Sequence, residues 1–589
     1  MYKLTDEQIK EKECFINEYV AAENAASGSQ VDANANVTHK TMATLEAELF
    51  KADVIQINRA KALRKIRSMF GAELADNFID DIRNHRIYIH DESSLKPYCA
   101  SISLYPFLLE GTKCLGGVSK APQNLQSFCG GFVNLVYQVS ACFAGAIATV
   151  EFLHYFDYFA RKQYGKNYVK THRKEIEQEL QGVVYALNQP ASARGDQSVF
   201  WNISLFDKDY MMEMFGSFFY PDGSTVDFDS VRTLQYFFME WFREERTKEL
   251  LTFPVVTASL LTDGEKPQDE TFVDFLSTEM ARGNSFFVYM SDSVDSLASC
   301  CRLRNELADN TFSFTLGAGG VVTGSAQVIT INFNRVFQDH SLYGELIQRV
   351  QKYLLAYKAI YKGYIDAGML PAYTAGFMDI DKQFLTIGVN GFVEAFEYMG
   401  REISPNSDYI RHVGTLLSCI TRLNKEAYKE YGVRFNTEMV PAENLGVKNA
   451  KWDKQDGLRV NRDCYNSYFY IVEDEHSDIL DKIMLHGKEI TQYLDGGSAL
   501  HLNLQQLLTV EQAHTLFELC AKNGVSYWTT NTRCTICETC GHINPETKGK
   551  CVECGSRDVS FGTRIIGYLR KIASFSKERI KEHSRRFYM

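Results

Sequence analysis

Two hydrophobic periods alternate along the chain. Apolar residues recur at helical spacing through Asp6–Ala22, with Ile9, Phe15 and Val20 among them, and again through Met42–Ile66 and Ala72–Asn84. The stretch Ala25–Asn36, rich in Ala, Ser, Gly and Asn, predicts a loop. Short apolar or alternating runs predict strands at Ile87–Asp91, Leu251–Val256 and Phe287–Met290, and over Gly324–Phe333, where a glycine precedes a clear alternation. Aromatic-rich helical patterns at Phe152–Arg161 and Phe228–Arg246 lie between them, and Phe384–Gly391 leads into a further helix. Regular strand–helix alternation over this length predicts an α/β fold.

Composition narrows the function classes. The 589 residues are 45% hydrophobic, enough for a large core, and carry a net charge of -11. That balance argues against a general nucleic-acid binder, which needs a basic footprint. It does not exclude a phosphorylated substrate, for which a local Arg/Lys cluster suffices. Fifteen cysteines in CxxC, CC or isolated contexts fit a reducing compartment better than a disulfide framework. The first residues lack a charged-then-apolar leader pattern, and no apolar run is long enough to span a bilayer. The chain reads as soluble and cytoplasmic.

The sharpest chemistry lies near the C-terminus. Two CxxC pairs, Cys537–Cys540 and Cys551–Cys554, each followed by glycine, flank a short polar hairpin. Four thiolates so spaced can surround one zinc ion tetrahedrally. Cys534 adds a third C-x₂-C step, part of an iron–sulfur run whose fourth cysteine is missing. A zinc ribbon alone fits a structural staple or a nucleic-acid module. Just beyond it stands Arg564-Ile-Ile-Gly567-Tyr-Leu569, one glycine among apolar residues, which by itself reads as a strand with a bulge.

Together the knuckles and this segment resemble the zinc site and radical loop of anaerobic (class III) ribonucleotide reductases, a glycyl-radical family. The resemblance runs from about Glu23 to Leu569 and includes Pro441-Ala-Glu443-Asn-Leu445 and Cys301-Arg302. It implies a ten-stranded α/β barrel with an internal finger loop, usually dimeric. It makes Gly567 the radical-storage residue: loss of a Cα hydrogen from glycine leaves a radical spread over both flanking amides, which a side chain would twist. Cys301 becomes the thiyl residue that takes the ribose 3′-hydrogen. Cys99, after the Ile87–Asp91 strand, becomes a redox cysteine, and Glu443 a hydrogen-bond acceptor or base at the ribose. Plainer readings stand beside these: Cys99 as a small buried side chain, Cys300–Cys301 as packed thiols, Glu443 as a helix-start carboxylate.

Two positions depart from the formate-dependent pattern. Ser299 stands where those members carry Met, and Ser325 near a position where they carry Asn. The expected reductant is therefore a dithiol: Cys99 with another site cysteine, Cys300 for example, closes to a disulfide, reopened by a thioredoxin- or glutaredoxin-like protein. The resemblance further implies ribonucleoside triphosphate substrates, dNTP/ATP effectors, and a separate radical-SAM activase, since CxxxCxxC is absent here. The expected organisation is an N-terminal helix and loop over 1–36 without an ATP-binding regulatory module, a catalytic barrel over 37–530, a zinc ribbon over 531–560, and the radical loop with a basic tail over 561–589. That tail reads as a solvated helical face or an activase-docking segment. Alternative functions are another glycyl-radical enzyme, such as a formate acetyltransferase relative, or a zinc-ribbon binding protein. The Gly-rich stretch Gln123–Gly131 suits either phosphate cradling or tight packing.

Overall fold

The computed structural model describes residues 4–29, 37, 39–191, 197–294, 296–298, 304–306, 321–440, 444–564 and 567–589; for 296–298 and 304–306 it describes the backbone alone. Ten strands form its centre: β1 Cys99–Ser101, β2 Ile147–Ala148, β3 Trp201–Phe206, β4 Val255–Leu261, β5 Phe287–Ser291, β6 Thr323–Asn332, β7 Gln383–Asn390, β8 Phe435–Met439, β9 Leu500–Asn503 and β10 Tyr527–Asn531. They lie side by side in the order β8-β7-β6-β1-β2-β3-β4-β5-β10-β9. Strands β1 to β5 are mutually parallel, as parallel strands joined by helical crossovers must be. So are β6 to β8, and so are β9 and β10. The two sets meet antiparallel, at Ser325 opposite Cys99 and at Tyr289 opposite Tyr527.

The free ends of this path join each other. Glu438, at the end of β8, pairs in parallel with Gly497, just before β9. Gly496 N–H donates to Thr437 O at 2.8 Å, and Met439 N–H to Gly497 O at 3.1 Å. A Cβ on Gly496 would lie 2.7 Å from that same carbonyl, so only glycine permits the closure. The result is a ring of two five-stranded parallel halves, the expected barrel. An additional strand, Ile87–Ile89, pairs antiparallel with the far half of β6.

Register separates the two faces of the ring. Trp201, Ile203, Leu205, Val256, Ala258 and Leu260 share one face. Helices cover it: Phe132 of helix Leu125–Ser140 packs 5.6 Å from Trp201, and Phe517 of Val510–Lys522 packs 4.9 Å from Trp528. Each such side chain contributes about 1.5–3 kcal/mol on burial. The opposite face carries Asn202, Ser204, Thr257 and Ser259, and it turns inward. A ten-stranded ring is too wide for an apolar plug from its own side chains alone, and its interior here is polar.

Several local expectations shift. Ile9 and Val20 are exposed, because helix Asp6–Ala21 packs only Phe15 and Tyr19 against Leu45. The Ala25–Asn36 loop contains a short helix, Ala25–Gly28, capped by Asn24. The pattern Met42–Ile66 divides at Phe50 into Met42–Leu49 and Lys51–Phe70. Gly131 lies within a helix, where a Cβ would meet the Phe107 ring at 2.7 Å, so packing is its role. The basic tail is a solvated face only in part: Lys577, Lys581 and Arg585 of its helix are exposed, whereas Arg579, His583 and the following Arg586 are buried.

Candidate functional site

A four-stranded ribbon follows β10: β11 Cys534–Cys537, β12 Ile543–Asn544, β13 Val559–Arg564 and β14 Leu569–Lys571, in the order β12-β11-β13-β14. Its two turns bring Cys537, Cys540, Cys551 and Cys554 together, all four Sγ atoms within 4.8 Å of one another. The Cys540 N–H points at Cys537 Sγ across 3.5 Å and holds that thiol down at about 6, favouring the thiolate a metal requires. A compact tetrad of soft donors fits zinc. Cys534 stands apart: it packs with Ile536 and Ile543, and burial pushes its thiol up to about 11. It is not part of this cluster.

The ribbon carries Gly567 on the connection from β13 to β14. Arg564 anchors that connection through a buried guanidinium. Its Nη1 donates to Gly567 O at 3.0 Å and its Nη2 to Ser285 Oγ at 2.6 Å. Its backbone N–H donates to Asn531 Oδ1 at 3.2 Å, and its guanidinium lies 4.6 Å from the Phe287 ring centre. Burial lowers the Arg564 pKa to about 10. On the other side Tyr568 packs edge-on to Phe200 at 5.4 Å, and Leu569 O accepts from Thr252 Oγ1 at 3.3 Å. Phe200, Thr252 and Ser285 all precede strands β3, β4 and β5, whereas Asn531 ends β10. The glycine connection therefore sits at one mouth of the ring, where the first half begins and the second half ends.

Cys99 is the first residue of β1. It is buried on the inner face, directly opposite Ser325, whose hydroxyl contacts Thr386 Oγ1 at 2.7 Å. Gly324, with φ 149°, lets β6 pass close to β1, since a Cβ there would overlap the Cys99 carbonyl. The segment holding Cys300 and Cys301 leaves β5 and rejoins β6 at the opposite mouth. Its backbone is described as a short antiparallel ladder, Ser296–Ala298 with Arg304–Glu306. Cys300, Cys301 and Glu443 lie outside the described residues.

Sequence reasoning missed the polar lining. Asn436 is fully buried, and neither end of its amide has a hydrogen-bond partner among the described residues. Ser101, Asn202 Oδ1, Ser204, Ser259 and Thr323 share that condition. An unpaired buried polar atom costs about 1–3 kcal/mol, so a ring of them is suited to polar groups that the other described residues do not supply. The alternation Asn202-Ile-Ser204 was the available signal, but period 2 does not say which face is inside.

The comparisons agree with this architecture. A solved structure of an anaerobic ribonucleotide reductase superposes with a TM-score of 0.86 at 27% identity, covering 99% of this chain and 93% of that one. The anaerobic ribonucleotide reductase of Thermotoga maritima with glycerol in the active site gives 0.83 at 28%, covering 98% and 94%. Its complex with dATP and CTP gives 0.83 at 27%, covering 99% and 100%. No curated protein matches significantly. Among the described residues, no helix is long and apolar enough to cross a membrane. The profile of the anaerobic ribonucleoside-triphosphate reductase family matches residues 46–588, and the chain belongs to that family.

Proposed function

We propose that this enzyme reduces ribonucleoside triphosphates to 2′-deoxyribonucleoside triphosphates by glycyl and thiyl radical chemistry, for DNA precursor synthesis. The observation that carries the reading is the Gly567 connection, held by Arg564 at the mouth of a polar chamber that also contains Cys99. In the proposed cycle the Gly567 radical takes hydrogen from the Cys301 thiol, and the thiyl formed takes the ribose 3′-hydrogen. The 2′-hydroxyl leaves as water after protonation. Cys99 and Cys300 supply two electrons and two protons and close to a disulfide, and Cys301 returns the 3′-hydrogen. Glu443 accepts a hydrogen bond from, or a proton at, the ribose hydroxyls. The ring excludes water and competing reductants from both radicals.

Cys537, Cys540, Cys551 and Cys554 would hold zinc, which supplies a rigid cross-link between the turns of the ribbon. The family reading further assigns a radical-SAM activase, a thioredoxin- or glutaredoxin-like reductant, a homodimer and a cytoplasmic setting. Deoxynucleotide effectors belong to the same proposal: one Thermotoga maritima structure carries dATP in its specificity site.

Anaerobic EPR with a radical-SAM activase, S-adenosylmethionine and a reductant tests the first step. The wild type should give a glycine-type doublet that Gly567→Ala loses, with backbone cleavage at Gly567 in air. CTP reduction should then proceed with dithiothreitol and fail in Cys300→Ser. A doublet that survives in Gly567→Ala sinks the assignment.

A further inference from the structure

We propose that the cavity between strand Ile87–Ile89 and helix Leu445–Gln455 is a polyphosphate site that engages the terminal phosphate of a nucleoside triphosphate. The inference rests on the substrate reading above and deepens it. The cavity encloses about 370 Å³, within the ~300–1,000 Å³ range of small-ligand sites. Arg59, Arg83, Lys448 and Lys451 line it against one carboxylate, Glu92. That is a concentrated basic patch on a chain of net charge -11. Glu92 is engaged by Arg59 in a bidentate pair, at 2.8 and 2.6 Å. Among the described residues no hydrogen bond or ion pair within 4 Å engages Arg83 or Lys451, although the Arg83 charge also acts on the Asp80 carboxylate, so both cations can turn to an anion.

The remaining wall is aromatic. His85 stacks on Trp452 with ring centres 4.5 Å apart and 9° between planes, and Lys448 Nζ lies 5.0 Å from the Tyr88 ring centre. His85 holds φ 51°, a conformation seldom taken by residues other than glycine and often found at binding sites. Cations beside flat rings suit a nucleotide better than an acidic peptide.

Position connects the cavity to the chamber. Tyr88 pairs with Thr330 of β6, and Cys99 with Ser325 of the same strand. Five residues of strand separate the two levels, ~16 Å at 3.3 Å per residue. Helix Leu445–Gln455 starts at the end of the Pro441–Leu445 run, and its first-turn amides face any anion placed there. Lys448 and Lys451 follow along the same helix.

The test is a tryptophan-fluorescence titration of the full chain with CTP, CDP and inorganic tripolyphosphate, comparing wild type with the Arg83→Gln/Lys451→Gln double variant. Loss of charge-assisted contacts should weaken CTP and tripolyphosphate about 10-fold and leave CDP within about twofold. Unchanged CTP affinity, or equal losses for CTP and CDP, overturns the proposal. Asn436→Ala separates two sources of the phosphate. If CTP binding falls with the chamber perturbed, the cavity receives the substrate's own tail; if it persists, a second nucleotide occupies the cavity. Either result supports a polyphosphate site, whereas a CTP response identical in Trp452→Phe and wild type counts against it. These equilibrium readings need no radical, so failure of the reductase reading would appear separately, in the EPR and turnover experiments.

Discussion

Asn436 is a residue whose surroundings, among the described residues, leave its polar atoms unmatched. Both amide atoms are buried without partners among those residues, a cost of about 1–3 kcal/mol if nothing else meets them. Asn436→Ala should therefore raise thermal stability slightly while lowering kcat/KM for CTP about 100-fold, the signature of a group kept for ligand rather than for packing. Thermal denaturation and anaerobic turnover on the same preparation check both halves. His583 presents the opposite case. Burial, with Arg586 nearby, lowers its pKa to about 4, so the folded state holds it neutral. Its unfolded counterpart protonates first on acidification, and the stability it contributes is complete above about pH 6.5 and lost as pH falls toward 4. Calorimetry between pH 7 and 5 should show a falling midpoint, with a shallower slope in His583→Gln. Cysteine spacing made the clustering of Cys537, Cys540, Cys551 and Cys554 legible in advance. Asn436 escaped notice because an orphaned amide is a property of neighbours that only folding supplies.

Among the elements, the ribbon should depend most on a bound metal. Its strands β13 and β14 flank Gly567, and their register, Arg564 opposite Leu569, is set within a sheet whose other end is the cysteine tetrad. Metal analysis should return about one zinc per chain, falling sharply in Cys551→Ser. Chelation should abolish the Gly567 doublet while far-UV circular dichroism of the barrel stays intact; a normal radical yield in metal-free protein would refute the coupling. The C-terminal helix supports the same loop from behind. Arg586 Nη1 donates to Arg564 O at 3.1 Å, and Tyr588 Oη lies 3.3 Å from Thr563 Oγ1. A run of Lys, Arg and Glu gives no hint of this in sequence, because charged helices are usually solvated. Burial follows here from the pairing of Glu582 with Arg579 and Arg586, at 3.2 and 2.7 Å.

At the scale of the molecule, closure depends on a few places where backbones touch. Gly324→Ala puts a methyl group into the Cys99 carbonyl at a φ that alanine rarely adopts, and should cost about 2–4 kcal/mol. Denaturant titration of the Gly324→Ala protein against wild type measures this directly. The α/β class was readable from alternation, as were the strands Phe287–Met290 and Gly324–Phe333. The two-residue strand β2 and the three-residue β1 were not: neither is long enough to show a period. Ring closure was not readable from pattern either, since no local signal ties Glu438 to Gly497.

The two antiparallel seams also govern the order in which the ring can close. Strands β1 to β5 occupy a continuous stretch from Cys99 to Ser291, so the first half of the ring can begin to pair while the rest of the chain is still being synthesised. Its second seam joins Tyr289 to Tyr527, a partner that arrives more than two hundred residues later. Contacts of such sequence separation form slowly, and until they do the strand edges of the half-ring are open to other chains. Closing the second seam early would therefore protect those edges. The compartment that would confine the radicals comes into being only with the final strands, so no partial chain holds a finished site in which to generate them.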